Sequence, residues 1–62
     1  MSTFFLQPRN EGQDLNYTET FYGSKIGAFA RAEEMQTTLQ AILIQGSISV
    51  KVIDFSGNEV GF

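Results

Sequence analysis

The clearest pattern along the chain is an alternation of apolar and polar positions between residues 47 and 55. The apolar positions are Ile48, Val50 and Val52, and the polar positions are Ser47, Ser49 and Lys51. Successive side chains of a β-strand point to opposite faces of a sheet, so the pattern predicts a strand with one buried and one solvated face. Turn-forming residues follow at 54–59, and they predict a short last strand at 60–62 that completes a hairpin.

The amino-terminal part of the chain predicts two further strands. An apolar stretch rich in phenylalanine precedes Pro8, which cannot donate to a β-ladder, so we expect a short strand at residues 3–7. The polar, turn-rich residues 8–14 indicate a surface loop. Residues 15–22 alternate again, with Glu19 as the exception, and this indicates a half-buried strand.

Two interpretations compete for the middle of the chain. In the first, Ser24 is the N-cap of one long helix. In the second, Gly23 and Ser24 form a hairpin turn and residues 25–30 form a third strand. On a helical wheel Ile26 points nearly opposite the apolar stripe of the following segment, and Gly27 costs about 1 kcal/mol within a helix. We therefore expect the turn and the third strand.

An amphipathic helix is expected over residues 32–45. Its apolar positions recur with helical spacing, and they are Ala32, Met35, Leu39, Ile42 and Leu43. Glu33 and Glu34 would then lie in the first turn, where the helix dipole favours negative charge. Because β-branched residues are frequent in the second half of this segment, a strand here, and with it an all-β domain, is the alternative.

Together these elements predict an α+β fold class. A hairpin, a helix and a second hairpin, with an added amino-terminal strand, make a small antiparallel sheet covered on one face by a single helix. A chain of 62 residues is one domain, residues 1–62, whose core supplies only about 3–5 kcal/mol of net stability. The sequence has no Cys and no His, which removes disulfides and the usual zinc sites. Self-association, or docking on a larger protein, is the remaining common source of stability.

The composition also argues against an enzyme. Without His, the Ser-His-Asp and Cys-His arrangements are impossible, and we assign no catalytic residue. The sequence contains neither a phosphate-binding glycine loop nor a calcium loop with the required spacing. We therefore expect no metal site and no cofactor.

The charge and hydropathy of the chain limit its partners. Seven acidic residues outnumber four basic ones and give a net charge of −3 at pH 7. This sign opposes binding to a polyphosphate backbone, so a nucleic-acid partner is disfavoured. No apolar run approaches the roughly 20 residues that span a bilayer, and the amino end lacks the features of a secretory signal. We expect a soluble, cytoplasmic protein without membrane contact.

Aromatic residues are the one enriched class, with six Phe and two Tyr. Neighbouring residues of a strand face opposite ways, so Phe4 and Phe5 cannot both lie under one helix. The same holds for Phe21 and Tyr22. We therefore expect part of this ring surface to be exposed, as is typical of protein interfaces. The candidate interface residues are Phe4, Phe5, Tyr17, Phe21, Tyr22 and Phe29.

These observations favour a non-catalytic protein-binding or assembly module. It would act through an exposed aromatic sheet face or an edge strand, either on a copy of itself or on a larger protein that it modulates. The alternative is a single-stranded nucleic-acid-binding sheet domain that stacks bases on its rings. A ligand or catalytic site between subunits is a third hypothesis. The opposing interpretation is a core that extends further round the sheet and buries the aromatic rings. None of the three hypotheses would then have support from exposed rings.

Overall fold

The computed structural model describes residues 2–43 and 45–61. Four strands and one helix follow one another as β1 (Ser2–Asn10), β2 (Gln13–Asp14), β3 (Glu19–Gly23), α1 (Lys25–Ile42) and β4 (Ile48–Asp54). Strand β1 is central and pairs antiparallel with the other three. β4 lies on one side of it, while β3 and β2 lie one after the other along the opposite side. The α+β prediction is confirmed, and the all-β alternative is wrong.

The core lies between α1 and the face of the sheet that α1 covers. At its centre is Leu6 of β1, which is fully buried and pairs with Val52 of β4 on one side and with Glu19 of β3 on the other. The other buried apolar residues are Phe4 and Pro8 of β1, Ala28, Ala32 and Met35 of α1, and Ile48 and Val52 of β4. The alternation predicted for the last long strand is therefore confirmed, although that strand ends at Asp54.

The middle of the chain forms one long helix with Ser24 as its N-cap, which is the first of the two competing interpretations. The Ser24 side chain caps α1 by accepting a hydrogen bond from the Gly27 N–H at 3.0 Å. The predicted turn at residues 23–24 and the predicted strand at 25–30 are therefore wrong. Ile26 does point away from the apolar stripe, as the wheel indicated, but it is simply exposed to 72%. Gly27 fits because a Cβ there would lie 2.9 Å from Cζ of Phe21.

The early start of α1 changes the expected roles of several helical residues. Glu33 and Glu34 lie in the middle of the helix and not in its first turn. The helix ends at Ile42 instead of residue 45, and Ile42 is 68% exposed, so its assignment to the buried stripe is wrong. Of the other predicted stripe residues, Ala32 and Met35 are buried, and Leu39 and Leu43 are half-buried.

Strand β1 continues through Pro8 and does not end before it. The Pro8 carbonyl accepts a hydrogen bond from the Leu15 N–H at 3.0 Å. Because the nitrogen and carbonyl of a residue in an antiparallel strand point to the same side, the missing N–H of Pro8 faces the gap between β2 and β3. Leu15 lies opposite Pro8 there, and its carbonyl accepts instead from Gln7 Nε2 at 2.9 Å and from the Tyr17 N–H at 2.8 Å. The proline therefore leaves no acceptor without a donor.

The predicted loop at residues 8–14 is wrong as well, because it contains the end of β1, a hairpin turn and β2. Glu11 and Gly12 form the turn with φ of 54° and 80°, and positive φ at both positions is the requirement of a type I′ turn. The strand predicted at residues 15–22 is shorter than expected, since 15–18 form a loop and β3 starts at Glu19.

The chain after β4 folds back along the outer edge of that strand. Ile53 forms a β-bridge with Glu59, and the Val60 N–H donates to the Val52 carbonyl at 2.8 Å. The predicted return of the chain is thus present as a bridge and not as a regular strand at 60–61. Phe62, the end of the predicted strand, lies outside the described residues.

Candidate functional site

The face of the sheet opposite α1 is packed against no helix or strand among residues 2–43 and 45–61. Directly paired residues of antiparallel strands share a face, so the register defines this surface. We call it the open face, and it consists of Thr3, Phe5, Gln7 and Arg9 of β1, Thr20 and Tyr22 of β3, and Ser49, Lys51 and Ile53 of β4.

One end of the open face is apolar and aromatic. Phe5 pairs with Ile53 of β4, and its ring stacks on Phe55, with centroids 6.5 Å apart and an interplanar angle of 23°. Tyr22 stands on the same face opposite Thr3. Phe55 and Tyr22 are 77% and 73% exposed, so most of the surface of both residues is presented to solvent. We call Phe5, Tyr22, Ile53 and Phe55 the aromatic end.

The other end of the open face is polar, and its charges are internally compensated. Arg9 Nε lies 2.8 Å from Asp14 Oδ1, and Lys51 Nζ lies 3.1 Å from Glu59 Oε1. Gln7 lies between these pairs and donates through Nε2 to the Leu15 carbonyl at 2.9 Å. Both cations of the open face are therefore already engaged by carboxylates.

The outer edge of β4 is closed at both of its ends. At the amino end, Gln40 Oε1 accepts a hydrogen bond from the Ile48 N–H at 2.9 Å, and Gln36 Nε2 donates to the Ile48 carbonyl at 3.1 Å. At the carboxyl end, the returning chain engages Val52 and Asp54. A further strand could therefore not form a ladder along this edge.

The outer edge of β3 is open. The Pro8 carbonyl shows that the even-numbered residues of β1 direct their backbone groups toward β3, so their partners Glu19 and Phe21 face β1. Thr20 and Tyr22 consequently direct their N–H and carbonyl groups outward. These groups make no hydrogen bond within the part of the chain that the structure describes, and both residues are exposed.

A charged cluster stands at the same edge, on the side of α1. Arg31 of the helix donates to both oxygens of Glu19, with distances of 2.6 and 2.9 Å. This hydrogen bonding from Arg31 holds the pKa of the Glu19 carboxyl below its ordinary value. The Tyr17 hydroxyl donates to Glu19 at 3.1 Å, and this hydrogen bond raises the pKa of Tyr17. The cluster fastens the edge strand to the helix and anchors the ring of Tyr17.

The structure separates the six candidate residues into three groups. Phe5 and Tyr22 lie on the open face. Tyr17 lies at the β3 edge and is 48% exposed. The remaining candidates lie on the side of the helix: Phe4 is buried in the core, while Phe21 and Phe29 are half-buried against it.

Ile53 and Phe55 complete the aromatic end but were not among the candidates. Both continue the parity of Ser49 and Lys51, which the sequence analysis had assigned to the solvated face. The same alternation, followed for two more steps, predicts that Ile53 and Phe55 lie on the solvated face. The pairing of β4 with β1 then brings them beside Phe5.

Among residues 2–43 and 45–61, no group of three or more His, Cys, Asp or Glu side chains is placed to hold a metal ion. Within the same residues, no helix is long and apolar enough to cross a membrane. A shallow groove between α1 and β4 on the helix side is lined by Ile26, Phe29, Glu33 and Val50.

Comparison with known proteins adds no relative. No protein-family model, no curated protein sequence and no solved structure matches this chain.

Proposed function

We propose that the chain is a non-catalytic protein-binding or assembly module that acts through the open face of its sheet and the adjoining edge of β3. Its partner is a second copy of itself or a larger protein. The observation that carries this proposal is the aromatic end, where Phe55 and Tyr22 present rings that are about three-quarters exposed.

Exposed rings of this kind are suited to protein contact. Phe and Tyr offer a large contact area while only two side-chain torsions become fixed, so the entropy lost on binding is small. Stacking of Phe55 on Phe5 already restricts both rings before any partner arrives. The surrounding Thr3, Thr20 and Gln7 supply a polar rim, which is the usual arrangement of an interface.

Binding of single-stranded nucleic acid has weaker support. Ring stacking on an open sheet is compatible with it, but phosphate contacts require available cations. Arg9 and Lys51 of the open face are each paired with a carboxylate, and the net charge of the chain is −3. A nucleic acid would have to displace both carboxylates against this charge.

The proposal is tested with Phe55→Ser, which removes the more exposed of the two rings, and with Ile26→Ser as the matched control. Ile26 is 72% exposed but lies on the helix. Self-association is measured by sedimentation over a wide concentration range. Binding of a larger protein is measured with immobilised chain in a lysate of the source cells.

We expect Phe55→Ser to weaken retention of a larger protein, and to weaken self-association where that contact includes the open face. Ile26→Ser should leave both intact. The proposal would be overturned by an unchanged chain that stays monomeric at every concentration and retains no protein. Equal effects of the two substitutions would also overturn it, because the open face would then have no special role.

A further inference from the structure

We infer that β3 pairs with β3 of a second copy of this chain, about a two-fold axis that passes beside Phe21. The two sheets would then form one continuous antiparallel sheet with both helices on the same face. The inference rests on the proposed function and names its partner and its point of contact.

The open edge of β3 is symmetric in the way that such a contact requires. Its outward backbone groups belong to Thr20 and Tyr22, one on each side of Phe21. With Phe21 opposite Phe21 of the other copy, each Thr20 stands opposite a Tyr22. Each of these pairs exchanges two N–H to carbonyl hydrogen bonds, so all four outward N–H groups of the two copies are satisfied.

The side chains of β3 are compatible with this register. The strand reads Glu-Thr-Phe-Tyr-Gly, and three of its five residues are strong β-formers. The one charged residue, Glu19, would face Gly23 of the other copy, so like charges are not opposed. Arg31 of the same protomer already compensates the Glu19 carboxylate.

The closed edge of β4 explains why the contact would stop at two copies. A sheet that is open at both edges can add strands without limit. Within residues 2–43 and 45–61, the side of the sheet opposite β4 is the open one, and on that side β2 has only two residues while β3 has five. Gln36 and Gln40 cover the backbone of Ile48, and the returning chain covers Val52. An isologous contact pairs the β3 edges of both copies with each other. No β3 edge then remains for a third copy, so the assembly is a closed dimer.

The dimer also enlarges the open face. Thr20 and Tyr22 lie on that face in each protomer, so the two Tyr22 rings would stand near the axis on one shared surface. A larger protein that binds the open face would then meet two copies of the aromatic end.

The test removes one outward donor from the edge. Thr20→Pro deletes the N–H that points to the partner while leaving the pairing with β1 intact, because proline is tolerated at such edge positions. Thr20→Val is the matched control, since it keeps the N–H and a β-branched side chain. The dimer dissociation constants are measured by sedimentation equilibrium, and circular dichroism verifies the fold of each variant.

We expect the unchanged chain and Thr20→Val to dimerise alike. Thr20→Pro should raise the dissociation constant by at least about tenfold, because the symmetric dimer loses two hydrogen bonds. A second measurement needs no variant: in the unchanged chain, the amide protons of Thr20 and Tyr22 should exchange more slowly as concentration rises. The Asn16 amide, in the exposed loop, is the internal reference and should not change.

The outcomes separate this inference from the proposed function. Dimerisation that survives Thr20→Pro but is lost in Phe55→Ser overturns the edge contact and supports the open face as the binding surface. A monomeric chain that still retains a larger protein does the same. Amide exchange at Thr20 and Tyr22 that is independent of concentration in a dimeric sample also overturns the edge contact. A monomer that retains nothing overturns both.

Discussion

Gln40 offers the sharpest test of how this small sheet is held together. Its Oε1 accepts a hydrogen bond from the Ile48 N–H at 2.9 Å, and its Nε2 reaches the carbonyls of Leu43 and Gly46 at 3.2 and 3.3 Å. Gln40→Met keeps a side chain of similar length but cannot accept the bond. Ile48 is only 3% exposed, so its N–H would be left without a partner in an apolar environment.

The expected loss is large relative to the stability of the chain. A buried donor without a partner costs about 1–3 kcal/mol, whereas the two longer bonds from Nε2 can be replaced by water at the exposed Gly46 side and count for little. A domain of this size has roughly 3–5 kcal/mol in total. Gln40→Met should therefore lose about half of the free energy of unfolding, measured by urea titration with circular dichroism.

Two controls make the prediction specific. Gln45→Met makes the same chemical change at an exposed position and should alter the free energy of unfolding by less than about 0.5 kcal/mol. Gln40→Glu can still accept from the Ile48 N–H at neutral pH, so its stability should lie between those of Gln40→Met and the unchanged chain. Equal stabilities of Gln40→Met and Gln45→Met would refute the reasoning.

Two further predictions concern the core and the helix-to-edge cluster. Leu6→Ala empties the centre of the core and should cost about 2–5 kcal/mol, enough to unfold most of the chain at room temperature; a cooperative thermal transition at the original midpoint would contradict it. Glu19→Gln should lower stability at neutral pH, because the pKa of Glu19 is held below its ordinary value of 4.5 by Arg31. The native carboxylate stabilises the fold above that value and loses this effect as the pH falls through its native pKa, so urea titrations should show the two proteins converging in acid. A stability difference that stays constant with pH would exclude this role of the carboxylate.

Much of the fold could be predicted because most strand residues alternate between a covered and a solvated face. The parity rule alone placed Ile48 and Val52 on the covered face, and it separated Phe4 from Phe5 and correctly divided Phe21 from Tyr22. The parity rule succeeds where one face of a strand is buried along its whole length, because every second residue must then be apolar.

The errors fall where a distant contact decides the local structure. Gly27 weakened the case for a helix, yet its missing side chain is what leaves room for the ring of Phe21. Ile26 is exposed on the helix, and a single exposed apolar residue costs too little to mark a strand. The interpretation of Pro8 as a strand end failed because nothing local shows that the neighbouring strand is interrupted beside it.

Only part of the candidate site could be predicted from the sequence, again because distant contacts decide which rings are buried. The alternation of the strands indicated that Tyr22 and Phe5 could be exposed. Phe21 and Phe29 were equally good interface candidates by composition, but they lie against the core. Their burial depends on where α1 begins, and the helix start was the feature that the local pattern misjudged. Ile53 and Phe55 were accessible to the same parity argument and needed no distant contact.

Pro8 also restricts how β3 can align on β1. A shifted alignment that keeps Phe4 and Phe21 on the covered face must move by two residues, because a shift of one exchanges the faces. A two-residue shift toward the end of β1 would set a carbonyl of β3 against Pro8, which has no hydrogen to offer. The proline thereby disfavours misaligned pairing of β3 with β1 while the chain folds. Because β3 has only five residues, it offers few other contacts that could define the alignment.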